Sequence, residues 1–364
     1  MAMHSSSPYL HIPPAARWKD AVAGRPPADI DPHLAPSLLI EPSHRVASAG
    51  SCFAQRIAEA LQHSGYGYMV TEPGPPFLSA DDRKTHGYGV YSARYGNIYT
   101  TLQLLQLVER AYGRFEPAEP LWRTADGAYV DPFRPAVQPG GYATESECLW
   151  DRRAHLAAVR AMFEQLDVFV FTLGLTEAWL SEADGAVFPV CPGSGLGGVY
   201  DPQRHRYHNF SVAEVSEQLT RFVDVLAQIN PRAQVIVTVS PVPLMATFEA
   251  RHVLQASTYS KSVLRVACEE LVRSRAQAHY FASYEIVTAS GDSNSYFAPD
   301  RRSVTPAAVE HVIACFRRLY MAADAAPPDA EPQPAAVAPP LPEQPLCDEQ
   351  LVMDALARHA ARET

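Results

Sequence analysis

Four runs of almost unbroken apolar residues recur along the chain, and helix-patterned stretches separate them: RVASAG from Arg45, DVFVFTLGL at 167–175, AQVIVTVSPVP at 233–243 and AHYFASYEIV at 278–287. A strand without apolar/polar alternation has no face to turn to water, so such runs belong to sheets covered on both sides, which are mainly parallel. The intervening stretches carry helical marks. SCFAQRIAEALQHSG places Phe53, Ile57, Ala60 and Leu61 at helical spacing, and TTLQLLQLVERAYG and DRRAHLAAVRAMFEQL read the same way. Ser211 and Glu214 form a capping box ahead of 211–230, a further helix spans 258–276, and Pro306 opens a last one over 305–320. Strands alternating with helices predict a doubly wound α/β sheet with helices on both faces.

Length and charge narrow the function. The chain has 364 residues, enough for a large core, and no apolar run approaches the roughly 18 residues of a membrane span. Its 30 Lys and Arg against 40 Asp and Glu leave a net charge of -10, the wrong sign for neutralising phosphates along a nucleic acid. Neither a nucleic acid nor a membrane is an expected partner. The first twenty residues lack a basic start, an apolar core and a small-residue cleavage site, so a cytoplasmic location is expected. Cys52, Cys148, Cys191, Cys268, Cys315 and Cys347 show no CxxC or metal spacing and read as free thiols.

Composition also divides the chain. Residues 1–44, rich in Pro, Ser and His, read as an extended lead-in; 45–320 carry the α/β pattern; and 321–345 hold eight prolines among alanines and acids, an acidic linker. Residues 346–364 suit a short amphipathic helix in which Asp348 caps and Val352, Leu356 and Ala360 share a face. That segment reads either as a frayed end or as a docking peptide for a protein partner.

In open α/β sheets ligands bind beyond the carboxyl ends of the strands, so the residues that follow each strand come first. Gly50-Ser51-Cys52-Phe53 joins a strand to a helix: a glycine for a sharp turn, then a serine where backbone N–H groups and the helix dipole can hold an oxyanion. Ser51 equally suits a plain N-cap. Gly174, Thr176 and Glu177 follow the second strand, where the glycine permits close backbone approach. Asp300, in FAPDRRS ahead of the last helix, can orient a base.

SAGSCFAQRIAEAL, FTLGLTEAWL with PVCPG downstream, VTVSPVP, YSKSVLR and YFASYEIV together resemble, in order, the bacterial GSCFA family over roughly residues 40–320. That family is similar to a divergent branch of the SGNH (GDSL-type) hydrolases, esterases and carbohydrate O-acyltransferases on a flavodoxin-like sheet. The resemblance implies acyl chemistry on a carbohydrate or other small acylated substrate. It gives Ser51 the nucleophile's place, with Gly50 and Cys52 beside it, and Gly174 with Thr176 and Glu177 the place of the oxyanion-hole Gly and Asn.

One departure matters. The superfamily's Asp-x-x-His reads here Asp300-Arg-Arg-Ser303, and a serine without a proton acceptor is a poor nucleophile at neutral pH. His252, after VTVSPVP, and His311, in the last helix, are the replacement candidates. Lys261 can hold an anion or activate a serine. Asn97 can supply the missing amide donor or merely serve a turn. The glycine-rich run 192–198 lacks a phosphate loop's Gly-Lys-Ser/Thr ending, and His205-x-x-His208 with Cys191 lacks a fourth ligand, so neither cofactor nor metal is expected. The expected function is a metal-independent serine esterase or O-acyltransferase; the alternative is an SGNH-fold module that binds a glycan or protein without turnover.

Overall fold

Phe53, Ile57 and Leu61 on one side and Leu104, Phe163, Phe222 and Leu264 on the other leave a slab between them that only a sheet buried on both faces can fill. The computed structural model describes residues 7–62, 65–288, 296–321, 348, 351–354 and 357. After three 3-10 turns and the single-turn helix α1 (Trp18–Ala21), the chain runs β1 (Arg45–Gly50), α2 (Cys52–Gln62), β2 (Gly67–Tyr68), α3 (Ala80–Thr85), α4 (Thr101–Ala111). A hairpin of β3 (Trp122–Arg123) and β4 (Tyr129–Val130) precedes α5 (Glu145–Gln165) and β5 (Val168–Leu173). Then come β6 (Glu177–Ser181), β7 (Val187–Phe188), β8 (His205–Asn209) and α6 (Val212–Ile229). The chain continues through β9 (Gln234–Val239), α7 (Val253–Ser274), β10 (Ala278–Phe281), α8 (Ser283–Thr288) and α9 (Pro306–Tyr320).

The main sheet has the order β10-β9-β5-β1-β2, and every pairing in it is parallel. This is the flavodoxin-like arrangement, whose crevice opens where β1 and β5 diverge. Alternate residues point to opposite faces: Ala47, Phe169, Phe171 and Val237 join α4, α5, α6 and α7, while Val46, Val168, Val170 and Ile236 join α2 and α9. The expected α/β fold is therefore present.

Three local expectations change. The run 278–287 is a strand only to Phe281; Ser283 then starts α8, and its hydroxyl donates to Val239 O at 3.0 Å. The helix expected from Asp151 begins at Glu145, because Thr144 and Glu147 complete a capping box six residues earlier. Likewise α7 begins at Val253 rather than 258, with His252 as its N-cap. The box at Ser211 and Glu214 stands as expected.

The segment between β2 and α5 is tied down by buried charge. Asp131, just after β4, accepts from Arg134 Nε at 2.9 Å and Arg152 Nε at 3.1 Å, and Asp151 binds Arg94 and Arg134 at 2.8 and 2.5 Å. Glu72 accepts from Arg94 N and His155 Nδ1, each at 2.6 Å. Arg94 and Arg134 are fully buried, so each guanidinium must be satisfied inside the protein.

In the lead-in, Ile40 N–H bonds Tyr320 O and Ala282 N–H bonds His33 Nε2. Of the linker expected at 321–345 only Met321 falls among the described residues, and of the C-terminal stretch Leu356 and Ala360 lie outside them. Asp348 N–H donates to the Tyr99 hydroxyl at 3.2 Å, and Val352 packs on the Trp122–Phe188 cluster. Among the described residues no helix is long and apolar enough to cross a membrane.

Candidate active site

Gly50 ends β1 with φ +148°, a conformation side chains rarely adopt; a Cβ there meets Thr172 O at 2.6 Å and Ala54 Cβ at 2.8 Å. The turn is therefore reserved for glycine, and it swings Ser51 out of the sheet to the N-terminus of α2. Tyr91 braces it from below. The Tyr91 hydroxyl lies 2.8 Å from Ser51 O, 3.0 Å from Gly50 O and 2.9 Å from Asn97 Oδ1, one proton among three acceptors. Burial pushes the Tyr91 pKa well above the usual phenol value, so that proton stays in place. Ile98 N–H also donates to Gly50 O at 2.9 Å. Gly50→Ala is expected to cost about 1–3 kcal/mol in backbone strain before the overlap with Thr172 is counted, read as a lowered Tm; unchanged stability would mean the turn relaxes freely.

Ser51 is 4% exposed, and its hydroxyl hydrogen-bonds none of the described residues, the α2 N–H groups included. The N-cap role is thus not taken up here. Across the crevice lies Gly174, where a Cβ would stand 3.5 Å from Ser51 Oγ. Lys261, 3% exposed on α7, donates from Nζ to Gly174 O at 2.7 Å. Ser51, Cys52, Tyr99, Gly174, Lys261 and Arg302 line one narrow pocket of about 10 Å³. A cleft of about 470 Å³ shares Lys261 and Pro243 with it and runs on to Leu254, Tyr284, Phe297 and Arg301.

The other sequence candidates fall elsewhere. His252 is an exposed N-cap whose Nδ1 accepts from Leu254 N at 3.1 Å. His311 pairs through Nδ1 with the Tyr296 hydroxyl at 2.7 Å, among the residues that cover the α2–α9 face. Neither lines the Ser51 pocket. Asp300 does not orient a base: its carboxylate accepts from Arg302 N, Ser303 N and Ser303 Oγ. That clamp shapes the turn whose Arg301 takes φ 56° and lines the larger cleft, while Arg302 lines the smaller pocket and donates to Pro243 O.

The polar residues after Gly174 are spent on structure. Thr176 N–H donates to Ser260 Oγ and Thr176 Oγ1 donates to Asn209 Oδ1, because the chain runs straight into β6 of a second, antiparallel sheet ordered β7-β6-β8. Glu177 binds Thr247 Oγ1 and Phe248 N. Gly174 N–H and Leu175 N–H both donate to Tyr99 O at 3.0 Å, so neither is open to an oxyanion in this arrangement. Asn97 stands behind Ser51, reached through Tyr91.

Sequence reasoning passed over Tyr91, Tyr99 and Arg302. Arg302 had a signal: it sits inside the Asp-x-x-His position, and attention to its ends hid its middle. Tyr99 had none, since it reaches the crevice from a loop without motif. Among the described residues no group of three His, Cys, Asp or Glu could hold a metal; His205 bonds Glu119 and His208 bonds Glu214.

Comparison with known proteins places these residues in context. Among solved structures the chain is similar to a carbohydrate esterase family 3 enzyme from Talaromyces cellulolyticus (TM-score 0.35, 10% identity, covering 75% of this chain and 94% of that one). It is also similar to an acetyl esterase mutant with acetate ion (TM-score 0.32, 10% identity, 74% and 93%). A third is a carbohydrate esterase family 2 enzyme plus carbohydrate-binding domain from Corynascus thermopiles (Myceliophthora fergusii) (TM-score 0.26, 15% identity, 79% and 68%). No curated protein matches. The sequence profile of the GSCFA family matches residues 45–316, spanning the Gly50-Ser51-Cys52-Phe53-Ala54 turn and every strand of the main sheet, and the chain belongs to that family.

Proposed function

We propose that this protein transfers or hydrolyses small acyl groups, acetyl above all, on a carbohydrate or similar alcohol, with Ser51 as nucleophile. The observation that carries the reading is the seating of the Ser51 hydroxyl, on a turn only glycine permits, in one pocket with Lys261. Ser51 Oγ attacks the acyl carbonyl, its proton passes to Lys261 Nζ in the amine form, and the tetrahedral oxyanion faces the N-terminus of α2. Lys261 then returns the proton to the departing alkoxide, leaving an acyl-serine that water or a second alcohol resolves. The narrow pocket suits a short acyl chain and the adjoining cleft the alcohol.

The absence, among the described residues, of a histidine in the Ser51 pocket favours a second reading: a module that binds an acylated glycan without turnover. Labelling separates the two. A serine-reactive fluorophosphonate, followed by peptide mapping, is expected to modify Ser51 alone among the serines of the wild-type protein. A protein that neither labels at Ser51 nor turns over p-nitrophenyl acetate leaves the binding reading standing.

A further inference from the structure

Away from the crevice, behind the loop that carries Tyr95 to Thr100, lies a cavity of about 20 Å³ walled by Tyr95, Ile98, Gln103, Arg110, Phe133 and His155. Arg110 is 8% exposed, and its guanidinium lies 3.8 Å above the Phe133 ring; no described carboxylate comes within ion-pair distance of it. Every other guanidinium around it has an acid. Asp131 serves Arg134 and Arg152, Asp151 serves Arg94 and Arg134, and Glu72 binds the Arg94 backbone and His155. Burial lowers the His155 pKa, and Glu72, 2.6 Å from its Nδ1, opposes that shift. Four buried arginines thus face three carboxylates, and Arg110 is the odd one.

A buried guanidinium with no ion-pair partner of its own is costly, even with Asp131 acting on it from beyond ion-pair distance, and the structure leaves one small space beside Arg110. We propose that the cavity is a binding site for a monatomic halide, chloride in the cell, held by the Arg110 guanidinium. Size restricts the ligand. A space of this volume has room for a small ion such as chloride. The amides in the wall are already engaged: Gln103 Oε1 accepts from Tyr99 N and its Nε2 donates to Asn97 O, while Gln106 bonds Val187 N and Gly185 O. Charge, rather than a polar lattice, is what this space offers. Burial holds the Arg110 pKa down to about 9 against the opposing pull of Asp131, with Arg152 and Arg134 adding to the lowering.

Two measurements on the full chain test the site. Crystals soaked in sodium bromide are expected to show an anomalous peak against Arg110; its absence, with ordinary water density in the cavity, overturns the proposal. In solution, replacing sodium gluconate by sodium chloride at constant ionic strength is expected to raise Tm by about 2–4 °C per tenfold of chloride above its Kd. Arg110→Gln is expected to abolish that dependence. Equal response to gluconate and chloride, or an unchanged chloride response in Arg110→Gln, also overturns it. Should Arg110→Gln fail to fold, the wild-type bromide map decides.

Discussion

Ser51→Ala and Lys261→Met are each expected to lower kcat for p-nitrophenyl acetate by about 10³-fold or more, with KM little changed, and the double variant is expected to be no slower than the worse single. The non-additivity follows from the proposed step: once the hydroxyl is gone there is no proton to accept, and once the amine is gone the hydroxyl does not ionise. Lys261 also has a structural duty, because Nζ bonds Gly174 O at 2.7 Å, and Met leaves that buried carbonyl without its donor at a cost of about 1–3 kcal/mol. Stability must therefore be measured beside rate. Lys261→Arg separates the two duties. A guanidinium can still donate to Gly174 O, yet it cannot take a proton from serine. A slow, stable Lys261→Arg supports Lys261 as proton acceptor, whereas a fast one assigns that role to another group and leaves Lys261 as scaffold.

The second large effect is on stability. Asp131→Asn is expected to destabilise the fold by about 3–5 kcal/mol in chemical denaturation, because it leaves the buried guanidiniums of Arg134 and Arg152 sharing a neutral amide. An exposed pair provides the contrast: Glu182→Gln, which breaks the 3.7 Å contact with Arg206, is expected to cost under about 1 kcal/mol. The Asp131 replacement should also change the response to acid. Burial alone raises the Asp131 pKa, but Arg152, Arg134 and Arg110 outweigh it and hold the carboxyl well below the usual range. A carboxylate with a depressed folded pKa contributes stability at pH values above its ordinary value near 4, and that contribution is lost as pH falls below it. Wild-type stability should accordingly fall between about pH 4 and pH 2, and the Asp131→Asn curve should be flatter there. An Asp131→Asn protein within 1 kcal/mol of wild type at pH 7 would show that water, not Asp131, neutralises the network.

Much of this architecture is written in local pattern. The unbroken apolar runs at 45–50, 168–173 and 234–239 could only be strands covered on both sides, and the turn at Gly50 and Ser51 was legible because one glycine and one strand-to-helix junction determine it. What stayed hidden depends on distant partners. GLTEAW looks like a crevice loop, but Glu177 through Ser181 pair with His205 through Asn209, and nothing local to 174–179 announces β8. His252 and His311 are candidates because one follows the VTVSPVP strand and the other lies in the last helix; their places as an exposed cap and as a partner of Tyr296 follow from packing no spacing rule describes. Arg110, Asp131 and His155 meet from three separate segments, so their cluster is invisible in any window of sequence. Lys261 lies between: its residue type marks it as a candidate, but its burial beside Gly174 follows from the packing of α7 and not from any local pattern.

The pairing of β1 with β5 has a consequence for how the protein is made. Arg45 and Asp167, which bond across the start of that pair, are 122 residues apart in sequence. During synthesis at 5–20 residues per second, β1 therefore waits about 6–24 s for its principal neighbour, with only the two-residue β2 to pair it in the meantime. Throughout that interval VASAG presents an unpaired apolar edge, and the Gly50–Ser51 turn lacks Thr172 and Gly174 beside it. Nascent chains stalled before residue 168 are thus the species most in need of a chaperone, and long-range closure of this kind makes for slow folding even where every helix is locally well capped.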